Sequence, residues 1–214
     1  MFRMARYPAI WEVELDFDVS LLLEEFTSAF SKNLRKVYAK NNDWKGVSVF
    51  KKGENLDLGN LPEVERVVSQ IGKSNVMGIG YFNLETDSRL HEHRDMNGNL
   101  LFGIIRIHIP IKTNENAYLF VERVRYHLPL GTSWALDTSG RHALANGSIS
   151  NRIHLVIDIK KSAETIKFFP RWTTSVVLHL INFIFVMSIK IVRDLFLNPN
   201  SLRKRLKDKI KEIH

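Results

Sequence analysis

The chain contains no cysteine, which removes disulfides, thiolate metal sites and cysteine nucleophiles in one step. Any transition metal must therefore be held by histidine and carboxylate. A membrane-spanning run is missing as well. The best candidate, Val176 to Ile189, is about fourteen residues long and is broken by His179, Asn182 and Ser188, whereas a spanning helix needs roughly 20 mostly apolar residues. The opening MFRMARYPAIWEVELDF has no apolar stretch of signal-peptide length, so no leader is expected. No internal repeat and no low-complexity segment is present. Acidic residues are too few to balance the basic ones: the net charge is +8, with much of the excess after residue 160, as in LRKRLKDKIK (202–211). Such a tail suits an anionic surface or a solvated helix.

What is present is enough for one domain with a sizeable core and a small appendage, at 214 residues. The pattern divides into residues 1–165 and a helical, basic extension, 166–214. In the first zone IWEVELDFD (10–18) alternates as a half-buried strand. DVSLLLEEFTSAFSKNLRKVYAK (18–40) reads as a helix capped by Asp18, and LPEVERVVSQIG (61–72) as a second, with Pro62 in the first turn and Gly72 at the stop. Short β-type runs follow: VMGIGYFNL (76–84), SRLHEHRD (88–95), LLFGIIRIHIPI (100–111), NAYLFV (116–121), VRYHLPL (124–130), SWALD (133–137) and NRIHLVIDI (151–159). With no long helix between them, they predict an antiparallel sandwich, jelly roll or barrel.

Polar residues inside these strands are the informative feature. Side chains in a strand alternate between faces, so His91, His93 and Asp95 point one way. Arg106 and His108 share a face opposite Ile105, Ile107 and Ile109. Arg152, His154 and Asp158 share another, opposite Ile153, Leu155, Ile157 and Ile159. A merely solvated face would carry Lys, Glu and Thr; this one carries His, Arg and Asp, which fits a sheet curled around a polar interior. His-x-Asp on a strand with a later histidine is the ligand pattern of the two-histidine, one-carboxylate site for non-haem Fe(II). A buried arginine such as Arg152 needs an anionic partner, and a carboxylate cosubstrate held by a bidentate pair would serve.

HEHRD (91–95), RIHIPI (106–111), His142 with ALANG behind it, and NRIHLVID (151–158) resemble, in order, the aspartyl/asparaginyl β-hydroxylase family of Fe(II)/2-oxoglutarate dioxygenases, nearest in look to the bacterial proline-hydroxylase type. The likeness covers roughly residues 76 to 160. It implies a mainly β fold, a double-stranded β-helix (jelly roll, cupin-like), with N-terminal helices and a C-terminal helical extension. It implies His93, Asp95 and His142 as iron ligands. It also implies Arg152 as the grip on the distal carboxylate of 2-oxoglutarate, with Arg106 and His108 near the cosubstrate's other end. The implied activity is hydroxylation of an unactivated C–H bond with O2, giving succinate and CO2.

Several residues have plainer readings. His91 shares the face of His93 but is read as standing beside the ligands, and His127 as a packed or surface histidine. His154 is placed along the pocket wall, and Asp137 either orients a ligand histidine or forms a turn. Asn146, in the acceptor sequence Asn-Gly-Ser, is read as unmodified. The expected substrate is a small amino-acid-like molecule, with no nucleic-acid partner. Segment 171–214 leaves membrane-surface contact or homodimerisation open, and the expected location is the cytoplasm, peripheral to the inner face of the membrane if that contact is made. The competing functions are a lipid hydroxylase of the lipid A type in the same family, a non-catalytic jelly-roll binding module, and a zinc or nickel cupin, which would not need Arg152.

Overall fold

The computed structural model describes residues 9–38, 41–95, 100–170 and 174–197. In chain order the elements are β1 (Ile10–Val13), α1 (Val19–Ala29), β2 (Arg35–Tyr38), β3 (Asn41–Lys51), α2 (Pro62–Ile71), β4 (Val76–Leu84), β5 (Ser88–His93), β6 (Ile104–Lys112), β7 (Ala117–Val121), β8 (Val124–Tyr126), β9 (Ser133–Leu136), β10 (His142–Asn146), β11 (Arg152–Lys160) and α3 (Thr174–Leu197). Two antiparallel sheets result. The larger has the order β1-β9-β6-β11-β4-β3-β2, the smaller β5-β10-β7-β8. The fold is mainly β and fits a double-stranded β-helix, with two helices before the strands of the site and one after them.

The centre of the large sheet is β6, β11 and β4, the three runs whose sequence alternates most clearly. Among their odd-numbered residues Ile107, Ile109, Leu155, Ile157 and Tyr81 are fully buried. Phe26 of α1 and Phe30 just beyond it lie against Tyr81, with ring centroids 5.1 and 5.4 Å away. The two helices cap one another. Asp18 accepts the N–H groups of Ser20 and Leu21 at 2.7 and 3.2 Å, the expected N-cap. Glu25 of α1 accepts the first N–H groups of α2, from Glu63 and Val64, at 2.6 and 3.1 Å. Glu63 of α2 accepts the Asp18 N–H in return, so both buried glutamates, Glu25 and Glu63, are satisfied.

Three expectations are corrected. The first strand stops at Val13, because β9 offers it partners only from Ser133 to Leu136. Beyond it, the backbone of Asp16 bonds to the Gln70 side chain of α2 instead. The first helix stops at Ala29 rather than running to 40. Phe30 and Asn33 close turns, and the chain then enters β2, which pairs with β3. Strand β3, absent from the sequence reading, owes its place to pairing with β4, a long-range partner that no local pattern announces.

The chain divides into two compact units, Pro8–Pro170 and a second containing Arg171–His214. Of the latter, α3 is described. Ile181, Ile184, Phe185, Ile189 and Val192 are exposed on it. Among the described residues no helix is long and apolar enough to cross a membrane. The basic run at 202–211 lies outside the described residues.

Candidate active site

The even-numbered residues of β4, β6 and β11 form the opposite face of the large sheet, and Arg106, His108, Arg152, His154 and Asp158 belong to it. The small sheet supplies the rest. Strand β10 begins at His142, which pairs with His93, and Leu144 pairs with Leu90. Two residues of β5, His91 and Glu92, therefore oppose the single Ala143, which is a β-bulge. The bulge corrects the expectation that His91 faces with His93: His91 and Glu92 are exposed, Leu90 is buried and His93 is half-buried.

His93, Asp95 and His142 come together, each offering a ligand atom, with these atoms all within 4.8 Å of one another. The Nε2 atoms of His93 and His142 each lie 3.8 Å from an Asp95 carboxylate oxygen. Both rings are set by backbone carbonyls two residues back. Nδ1 of His93 lies 2.8 Å from the His91 carbonyl oxygen, and Nδ1 of His142 lies 3.0 Å from that of Gly140. With Nδ1–H donating, each ring presents a bare Nε2 to the shared point, the tautomer a metal requires. Burial lowers the pKa of His142, an effect the Gly140 carbonyl partly offsets, so the ring stays neutral.

One turn, Asp137 to Gly140, braces the cluster. The Asp137 carboxylate is fully buried and accepts from the Ser139 N–H and hydroxyl and from the Leu100 N–H. Thr138 offers its carbonyl to the Asp95 N–H at 2.9 Å. Ser139 offers its own to the Arg94 guanidinium, and Gly140 positions His142. Asp137 is thus a turn-former whose turn holds two members of the cluster.

Two arginines flank the site differently. Arg106 donates through Nε and Nη2 to both oxygens of Asp158, at 2.7 and 2.9 Å, and through Nη1 to Asp95 at 2.9 Å. Burial alone would lower its pKa, but the two carboxylates outweigh it and hold the group above its ordinary value. Arg152 is buried, with only a 3.1 Å contact from Nη2 to Nδ1 of His154. Among the described residues no carboxylate pairs with it, and burial pulls its pKa down to about 9. Neither nitrogen of His108 and not Nε2 of His154 has a partner; burial, and then the charge of Arg152, pushes both imidazoles well below their ordinary value. These groups line a narrow pocket of about 30 Å³ with Arg106, Trp44 and Phe82.

Other candidates fall away from the site. Nδ1 of His127 lies 3.2 Å from the Ala117 carbonyl oxygen. Asn146 is buried, and its side-chain NH2 donates to the carbonyls of Leu84, Glu85 and Ser150, so it has no exposed amide to modify. Sequence reasoning missed Trp44, since it missed the strand that carries it.

No curated protein matches the sequence. Among solved structures, a viral collagen prolyl hydroxylase from Paramecium Bursaria Chlorella virus-1, in a 2OG complex, is 13% identical. The match covers 72% of this chain and 97% of that one with a TM-score of 0.51, a likeness of fold. An oxidoreductase of the 2OG-Fe(II) oxygenase family from Burkholderia pseudomallei is 15% identical over 63% of this chain and 75% of its own, at a TM-score of 0.45. The model of the family described as Aspartyl/Asparaginyl beta-hydroxylase matches residues 14–162, and with the whole His–Asp–His cluster inside that span, the chain belongs to the aspartyl/asparaginyl beta-hydroxylase family of hydroxylases.

Proposed function

We propose that the protein is an Fe(II)- and 2-oxoglutarate-dependent dioxygenase that hydroxylates an unactivated C–H bond of a small amino-acid-like substrate, with succinate and CO2 as co-products. The observation that carries the reading is Arg152. A buried guanidinium without an anionic partner is costly, and here it lies in the same pocket as three unpartnered imidazole nitrogens, beside a cluster of two histidines and a carboxylate. That donor set, without thiolate, suits Fe(II) with open positions. A dicarboxylate reaching from the cluster would satisfy Arg152.

Bound iron and 2-oxoglutarate would supply oxidising chemistry that no side chain possesses. The chain's own part is placement. His93, His142 and Asp95 hold the metal, with the backbone carbonyls of His91 and Gly140 fixing the ring tautomers. Arg106 orients Asp95 while anchored on Asp158, and it borders the cosubstrate pocket. Arg152 would pair with the distal carboxylate and His154 would stand beside it; His108, near Arg152 as well as Arg106, would serve that same end rather than only the opposite one that the resemblance implies. Trp44 and Phe82, stacked at 5.4 Å, shield this end from water.

The test is anaerobic addition of Fe(II) and then 2-oxoglutarate to metal-free protein. A weak visible charge-transfer band is expected, lost in Asp95→Ala and weakened in Arg152→Ala, with succinate formed when O2 is admitted. A folded protein that gives neither band nor succinate would instead be a binding module or a zinc-type cupin.

A second reading concerns place rather than chemistry: the enzyme works at an anionic membrane surface. The apolar side chains exposed on α3 support it, as does the stretch 201–214, with six basic residues against two acidic. Such a combination partitions into an anionic interface, whereas pairing two copies would bring like charges together.

A further inference from the structure

The inner face of the large sheet continues past the Arg152 pocket into a wider cleft of about 360 Å³, a size suited to a small molecule. The two spaces share Phe82, Arg106 and Val156, and Arg106 is bonded to Asp95. The cleft therefore lies one residue, Arg106, away from Asp95 of the His–Asp–His cluster and extends over β4, β3 and β2.

Its floor is short of side chains. Gly78 and Gly80 both lie on it, for different reasons. A Cβ at Gly80 would sit 3.0 Å from the Val47 carbonyl oxygen, so the approach of β3 requires glycine there. A Cβ at Gly78 would meet nothing closer than 3.8 Å. Gly78 borders a β-bulge, since it pairs with Asp158 while Val76 pairs with Ile159, and a glycine there leaves the strand surface bare for the close approach of another molecule. Phe50 and Phe82 supply apolar wall, and Arg35, Lys36 and Lys51 supply charge. The single acid in the lining is Asp158, whose two oxygens are both taken by Arg106. The charge left free is positive.

Resting on the reading that the cluster is the reaction centre, we infer that this cleft is the substrate site, for a substrate with an anionic group, carboxylate or phosphate, against Arg35, Lys36 and Lys51 and an apolar body over Phe50 and Phe82. An amino-acid-like substrate satisfies this through its carboxylate. The three cations are exposed, so the preference they create is moderate and falls as salt rises.

The test is binding to metal-free protein, followed by calorimetry or saturation-transfer NMR, of 4-phenylbutyrate, 3-phenylpropyl phosphate and neutral 4-phenylbutanamide. At least one anion should bind about tenfold or more tightly than the amide, and the better anion names the group. Replacing Arg35, Lys36 and Lys51 together by Ala should erase that difference. It should leave 2-oxoglutarate affinity of the Fe(II)-loaded protein unchanged, which also shows the variant folded. Gly78→Leu should weaken all three probes by filling the floor. Equal affinity of anion and amide, absence of binding by any probe, or a preference that survives loss of the three cations overturns the inference. A preference lost in Arg152→Met also overturns it, since the probes would then be in the cosubstrate pocket. If 2-oxoglutarate fails to bind while the probe preference stands, the cosubstrate reading falls and the anion site remains.

Discussion

Arg106 and Arg152 sit on the same inner face, one on β6 and one on the neighbouring β11, and they live in opposite electrostatic conditions. Arg106 has two carboxylates within 3 Å and its side chain is 19% exposed; Arg152 is buried with an imidazole beside it. One guanidinium is held above its ordinary pKa and the other is pulled down to about 9. An arginine does not lose its proton at working pH, so Arg152 keeps its charge in a buried place where, among the described residues, no carboxylate pairs with it. A fold keeps such a charge only where something outside the chain completes it. On the proposed reading Arg106 braces Asp95 beside the pocket, and Arg152 is the group that meets the cosubstrate's anion.

The sharpest way to break this comparison is to replace each arginine by methionine. Arg152→Met should lower 2-oxoglutarate affinity by about 2–5 kcal/mol, a factor of roughly 30 to several thousand, while the ligand-free protein becomes more stable by about 1–4 kcal/mol because a lone buried charge has gone. Arg106→Met should do the reverse to stability, costing about 1–3 kcal/mol by stranding Asp95 and Asp158. Urea denaturation and cosubstrate titration read both. If Arg152→Met destabilises the ligand-free protein as much as Arg106→Met does, the two arginines do not differ and the functional reading loses its support.

The histidines around Arg152 sharpen it next. His108 and His154 have folded pKa values below 6.5 because burial and the nearby guanidinium disfavour their charged forms. Between the folded value and 6.5 the unfolded chain binds protons that the folded chain refuses, so stability rises with pH across that window and is lost on acidification. Two such groups give a slope of up to about 2.7 kcal/mol per pH unit. Denaturation midpoints of metal-free protein between pH 7.5 and 5 should fall steeply, and His108→Phe should flatten the curve. A midpoint independent of pH in that range would mean that these imidazoles are hydrated.

How much of this was readable beforehand follows from where the information resides. The charged inner face was legible because β4, β6 and β11 are central strands, and period two alone separates Arg106, His108, Arg152 and His154 from the isoleucines. All three members of the metal cluster were legible as well, since a short motif and one distant histidine carry them. The bulge at His91 was not: it exists only because β10 pairs Leu144 with Leu90 and His142 with His93. Nor was β3, whose run NNDWKGVSVFK holds asparagine and glycine and becomes a strand through β4. Asp137 showed its alternatives and could not choose, because the bonds that decide among them come from Ser139 and Leu100 after folding.

That turn supplies a smaller effect. Asp137→Ala removes the oxygen that accepts from Ser139 and Leu100, loosening the carbonyls that hold His142 and Asp95. Metal affinity should fall about 10- to 100-fold, measured by competition with a chromophoric chelator, with the Arg152 pocket untouched. Equal loss of 2-oxoglutarate affinity in a metal-free binding assay would show instead that the turn supports both regions.

The weakest effect is expected from the basic run near the end of the sequence. The basic residues of 201–214 are known from the sequence alone, and on the proposed membrane reading each would add an attraction to an anionic surface of about 1 kcal/mol. Arg205→Ala should therefore reduce sedimentation with equimolar phosphatidylglycerol–phosphatidylcholine vesicles about fivefold, without moving the denaturation midpoint. Phe185→Ser should weaken the same partition through the lost apolar contact of α3. Protein that ignores vesicles and sediments alone as a dimer would assign the exposed side chains of α3 to a second copy of the chain. In either case Arg152, buried, is the cation expected to be worth several kcal/mol to its ligand.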